Sequence, residues 1–159
     1  MSLSFAKITA SASWILSKVN PGFKTAKQGP DALSASIGYD TANVTKLVGS
    51  QYVIAGSGTQ AIDLTSQIDL LNAAVSFGKT CGIIIKVSGN DVKLVGHGTN
   101  GLSTWFIRNS GELWVCDGGF AAIGWTYSKA ATVDSTHKIL TLTNSSGASA
   151  TVTLSLFGA

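Results

Sequence analysis

The chain has 159 residues, of which 45% are hydrophobic and only 12% charged, with a net charge of +3. That length suits one full core and is short for two comfortable domains. The charge is too small and too dispersed for the dense basic stripe that nucleic acid requires; Lys18, Lys24 and Lys27 form a loose cluster broken by Pro21 and Gly22. No run approaches the roughly 20 apolar residues of a membrane span. Residues 1–19 lack a continuous apolar core of signal-peptide length. The expectation is a product kept in a cytoplasm until it joins something; the low charge leaves little repulsion against association, and the composition fits an ordinary soluble monomer with a Ser/Thr-rich surface equally well.

In chain order, residues 2–19 mix β-branched and aromatic types without helical periodicity and read as an edge strand or an arm reaching a neighbour. Asn20-Pro21-Gly22 and Gln28-Gly29-Pro30-Asp31 are turn signals. Residues 33–39 read as a short strand, and residues 43–55 as β-rich with a break at Gly49-Ser50. Gly56-Ser57-Gly58 turns the chain into an extended Ala61-Ile62-Asp63-Leu64. The stretch 65–72 is the best helix candidate, about two turns, capped by Thr65 or Ser66 with Asp69 near the first-turn amides.

From residue 74 the pattern is strand and turn. Ile83, Ile84 and Ile85 suit a central strand, and Ser88-Gly89-Asn90 turns it into residues 91–95. Residues 102–108 and 112–116 flank the hairpin signal Asn109-Ser110-Gly111, and Asp117-Gly118-Gly119 turns again. The end of the chain is the clearest. Ala148, Ala150, Val152, Leu154 and Leu156 alternate with Ser149, Thr151, Thr153 and Ser155, the mark of a strand with one buried face. Residues 139–143 precede it, and Asn144-Ser145-Ser146-Gly147 supplies turn residues, so the two runs are expected to pair as a β-hairpin. Strands spaced by roughly ten residues indicate a sandwich or barrel. The predicted fold is all-β: a single-domain β-sandwich over 1–159, jelly-roll-like, with one short helix. Residues 1–55 hold an extended N-terminal segment and irregular strands, and residues 56–159 the best-defined β core.

Motifs with chemical meaning are few. Gly96-His97-Gly98-Thr99-Asn100-Gly101 matches a dinucleotide-binding pattern, but the strand-like residues after it cannot offer the helix N-terminus that pyrophosphate needs. Gly56-Ser57-Gly58-Thr59-Gln60-Ala61 fails for the same reason. His97 and His137 stand without ligands at metal spacing, although Asp134 lies three residues before His137. No nucleophile elbow and no carboxylate pair points to catalysis. The expectation is no enzyme, no cofactor and no metal. Cys81 and Cys116 form no framework; buried free thiols on strands are expected, and a single bridge stays open. Asn43-Val44-Thr45 and Asn144-Ser145-Ser146 match glycosylation sequons. The aromatics Trp105, Trp114, Trp125 and Tyr127 have two readings: core or subunit interface, and a glycan-stacking platform.

The order of Gly58-Thr59-Gln60-Ala61-Ile62-Asp63-Leu64, Gly82-Ile83-Ile84-Ile85-Lys86-Val87, residues 90–95, Gly118-Gly119, Lys138-Ile139-Leu140-Thr141-Leu142-Thr143-Asn144 and the terminal Phe157-Gly158 resembles the small all-β virion structural proteins of tailed bacteriophages. The resemblance runs from residue 56 onward and carries no site residues. It implies a capsid, decoration or head/tail surface component, located in the virion after assembly in a host cytoplasm, whose partners are other copies of itself and other virion proteins. The alternative expectation is a lectin-like β-sandwich module that binds carbohydrate through the tryptophans.

Overall fold

The computed structural model describes the backbone of residues 6–18 and 26–39, and residues 43–69, 71–96, 98–102 and 111–159 in full. Its strands are β1 (Ala6–Lys18), β2 (Ala26–Tyr39), β3 (Lys46–Ile54), β4 (Thr59–Asp63), β5 (Gln67–Ile68), β6 (Ala74–Val75) and β7 (Lys79–Ser88). They continue with β8 (Val92–Val95), β9 (Glu112–Val115), β10 (Phe120–Gly124), β11 (Ala131–Thr132), β12 (Ile139–Asn144) and β13 (Ala150–Gly158). The fold is an all-β sandwich. One sheet runs β10-β7-β13-β3, with β11 added on β7; the other runs β4-β12-β8-β9.

The period-two pattern of β13 is realised as burial. Ala150, Val152, Leu154 and Leu156 face the core, while Thr151, Thr153 and Ser155 face out. Ile83, Ile85 and Val87 of β7, Val92 and Leu94 of β8, and Leu140 and Leu142 of β12 complete one continuous core between the sheets. Each of the Val, Leu and Ile side chains among these contributes about 1.5–3 kcal/mol by leaving water.

The terminal strands correct one expectation. β12 and β13 do not pair with each other: β12 pairs with β4 and β8, while β13 pairs with β3 and β7. The loop 145–149 crosses from one sheet to the other. A strand with one buried face meets its requirement equally by facing its neighbour across the core, and short turns serve both geometries. The same crossing occurs between β3 and β4, β7 and β8, and β9 and β10.

Those crossings are knitted together. Ser57 N donates to Ser146 O at 2.6 Å, and Asn90 Nδ2 to Ser149 O at 3.0 Å. Gly89 N donates to Asp117 Oδ1 at 2.6 Å, and Asp117 N to Asp91 Oδ1 at 2.8 Å. Gly56 lies so close to the Gly147 carbonyl that a Cβ would overlap it.

Three further expectations fail for local reasons. The stretch 65–72 is not helical. Asp63 Oδ1 takes the Thr65 amide (2.9 Å), Asp69 Oδ1 takes the amides of Leu71 (2.8 Å) and Ala73 (2.9 Å), and β5 pairs with β6. Asp, Ser and Thr compete for backbone groups in this way, a two-turn helix is marginal, and exposed Ile68 and Leu71 leave it no face to bury. Among the described residues the one helical element is a 3₁₀ turn at Tyr127–Lys129. Gly49-Ser50 does not break β3, which continues through it against β13. The pair Gly29-Pro30 does not turn the chain; it sits in β2 where the register shifts, with Trp14 opposite Asp31 and Leu16 opposite Gln28. A bulge accommodates a proline that has no N–H to donate.

The β1–β2 hairpin is a separate two-stranded sheet. β1 approaches β10 but joins neither ladder of the sandwich.

Candidate functional site

The four aromatics singled out in the sequence divide. Trp105 lies outside the described residues. Trp114, on the edge strand β9, is 51% exposed. Trp125 is half-buried against the main core, and its amide donates to Cys81 O at 2.8 Å, extending the β10–β7 ladder. Tyr127 packs on a second cluster built on Val44, Cys81 and Phe157, with Lys79 Nζ 4.3 Å from its ring centroid. Trp125 is thus level with Cys81 at the start of β7, and the surroundings of Trp114 are level with Gly89 beyond its end. At about 3.3 Å per residue that is about 26 Å, too far for one sugar to bridge.

Trp114 stands beside the sheet crossings. Alternation along β9 buries Val115 and turns Trp114 outward, opposite Lys93 of β8. The indole Nε1–H donates to Glu112 Oε2 at 3.0 Å, and Glu112 Oε1 accepts from Lys93 Nζ at 2.8 Å. Lys93 Nζ lies 5.7 Å from the ring centroid. Next to the ring opens a cleft of about 360 Å³ lined by Asn90, Asp91, Asp117, Ser145 and Ser146. In the sequence these were turn residues and lone carboxylates. The signal that could have found them is the recurrence of Asn, Asp and Ser at every passage between the sheets.

Asn144 is fully buried beneath these loops. Its Nδ2 donates to Ile54 O (3.2 Å), Ala55 O (3.2 Å) and Ala148 O (2.7 Å), and its Oδ1 accepts from Ser146 N (3.0 Å) and Ser146 Oγ (2.8 Å). An amide committed in this way cannot serve as a glycan acceptor in the folded chain, so the second sequon is a structural corner.

Elsewhere the titratable groups do local work. Asp134 Oδ1 accepts from Thr136 N (2.7 Å), Thr136 Oγ1 (2.8 Å) and His137 N (2.8 Å), and these bonds, those from Thr136 foremost, bring its carboxyl down to about 2. Burial pushes the Asp63 carboxyl up, but the bonds from Lys138 Nζ (2.8 Å) and Thr65 outweigh it and the net shift is downward. Cys81 is buried on β7, whereas Cys116, expected to be buried on a strand, is exposed just past the end of β9; the two form no disulfide, and burial raises the pKa of Cys81. Among the described residues no group of three or more His, Cys, Asp or Glu is placed to hold a metal ion. His97 lies outside those residues. No helix among them is long and apolar enough to cross a membrane.

Large apolar side chains are exposed on the other sheet: Val53 of β3 is 73% exposed and Phe120 of β10 72%. Both belong to edge strands. No protein-family model matches the chain, and no curated protein matches its sequence.

Proposed function

We propose that the protein is a non-catalytic structural component of a virion, of the tailed-phage surface type, acting through association with copies of itself and with other virion proteins. The observation that carries this reading is the β1–β2 hairpin. Its register pairs Ala6 with Tyr39, Ile8 with Ile37, Ala10 with Ala35 and Ala12 with Leu33, while the alternate positions pair Thr9 with Ser36 and Ser11 with Ser34. Alternation assigns the apolar pairs to one face of the ribbon. A two-stranded ribbon is marginal by itself and requires a surface for that face. At about 3.3 Å per residue, β1 reaches about 43 Å, comparable to the width of a small domain.

Three features agree. The passages β3 to β4, β7 to β8, β9 to β10 and β12 to β13 each cross from one sheet to the other, which supports a jelly-roll-like reading, an architecture used in capsid and lectin domains. Architecture alone does not fix function. Val53 and Phe120 offer apolar edges, and the low charge of the chain favours close packing of copies. From residue 56 the sequence resembles the phage virion proteins.

The test is the native mass of the full chain by light scattering, with negative-stain images of the same fraction. A defined oligomer, shell or filament is expected. A monodisperse monomer that also fails to bind a purified capsid or tail lattice overturns the reading.

A further inference from the structure

A half-exposed tryptophan is unusual, because an indole gains more from burial than almost any other side chain. Trp114 is also held still. Its Nε1–H is committed to Glu112, and Glu112 is in turn tied to Lys93, so the ring keeps one orientation while a face stays open to solvent. A rigid exposed aromatic beside a polar cleft is a prepared surface, and the cleft of about 360 Å³ falls within the size range of small-molecule sites.

The polar groups there are oriented by the fold. Asp91 and Asp117 each spend Oδ1 on a turn amide, and Asn90 spends Nδ2 on Ser149 O. Among the described residues, no bond engages Oδ2 of either aspartate, Oδ1 of Asn90 or the Ser145 hydroxyl. These groups are mostly acceptors, set by backbone bonds that a ligand need not break. A ligand that fits must offer several hydroxyl donors on one edge and a weakly positive C–H face for the indole.

We propose that the Trp114 cleft binds a neutral pyranose, with the C–H face of the sugar on the Trp114 ring and its hydroxyls donating to Asp91 and Asp117. The two carboxylates repel an anionic sugar, and the nearby cation, Lys93, is already paired with Glu112. The site is confined to this end of the sandwich and does not include Trp125 or Tyr127. It is independent of the assembly reading, since sugar binding and native mass are separate measurements.

The test is a titration of the ¹⁵N-labelled full chain with the methyl glycosides of glucose, galactose, mannose and N-acetylglucosamine, with glucuronate as the anionic control. At least one neutral sugar is expected to move the Trp114 indole N–H and the amides of Asn90, Asp91, Asp117 and Ser145, with millimolar affinity. W114A, altered at an exposed position, should keep the folded spectrum and weaken binding by about tenfold or more, the scale of a lost aromatic contact. D91N retains an oxygen for the Asp117 amide, and should weaken binding without unfolding the turn. No shift with any neutral sugar, unchanged binding in W114A, or glucuronate binding as well as the neutral sugars overturns the proposal.

Discussion

Asn144→Ala is the sharpest test of how the two sheets are joined. The side chain is fully buried and holds three carbonyls and two Ser146 groups across the β12–β13 crossing. The amide has two protons for three acceptors, so about four effective bonds are lost, at roughly 1 kcal/mol net each. The orphaning penalty is limited, because Ala148 O keeps the Ser146 hydroxyl (2.9 Å) and Ala55 O keeps the Gly58 amide (3.0 Å). The expected loss is about 4 kcal/mol. In equilibrium urea unfolding, with an m-value of about 2 kcal/mol/M, the midpoint should fall by roughly 2 M with m unchanged. Asn144→Asp should cost more at neutral pH, since it turns a carboxylate toward three carbonyl oxygens, and should recover part of the loss in acid. A loss below about 1 kcal/mol for the alanine variant, or a wild-type midpoint for the aspartate, would refute the account of this corner.

Three further outcomes are expected. In Gly158→Ala, the new methyl would overlap the Lys79 carbonyl and sit 2.6 Å from Phe77 Cδ1, so thermal unfolding should show a clear drop in Tm, while Gly147→Ala, with nothing near, should change little. The Asp134 carboxyl, followed by carbon-detected NMR, should titrate near 2. Its folded pKa lies below the ordinary 3.8, so its stabilising effect is present above about 4 and fades as pH falls toward 2; D134N should flatten that acid limb of the stability curve. Of the two thiols, Cys116 should react with a maleimide in the native protein and Cys81 only on unfolding, as judged by peptide mass mapping.

The alternation of β13 and β7, which records burial on one face, was legible residue by residue, and so was the sandwich that those faces require. Partner choice was not. Leu140 and Leu142 face a core whether β12 lies beside β13 or across from it, and the determinant, Asn144, looks like any turn asparagine until Ile54 and Ala55 come into reach from ninety residues away. Local polar chemistry misled the reading of 65–72, where Thr65 and Asp69 suit a helix cap and an Asx turn equally well. The Trp114 cleft was half visible: the tryptophan stood out, but Asp91, Asp117 and Ser145 meet only because three sheet crossings converge.

The distribution of ion pairs differs between the two sheets. An exposed sheet edge invites another strand, and charge on it is the ordinary defence, since a second chain would have to desolvate it. In the β4-β12-β8-β9 sheet both edges carry that defence: Asp63 of β4 is paired with Lys138, and Glu112 of β9 with Lys93. Among the described residues no ion pair lies on β3 or β10, and those edges present Val53 and Phe120 instead. On the assembly proposed above, this asymmetry assigns contacts between copies to the β3 and β10 edges, and the β9 edge, with Trp114, to the proposed sugar. Val53→Lys and Phe120→Lys, both at exposed positions, should therefore leave the unfolding free energy within about 0.5 kcal/mol of wild type yet lower the native mass. Glu112→Gln, which removes the β9 ion pair, should leave the mass unchanged. A mass that answers to Glu112 and ignores Val53 and Phe120 would reverse the assignment of the two sheets.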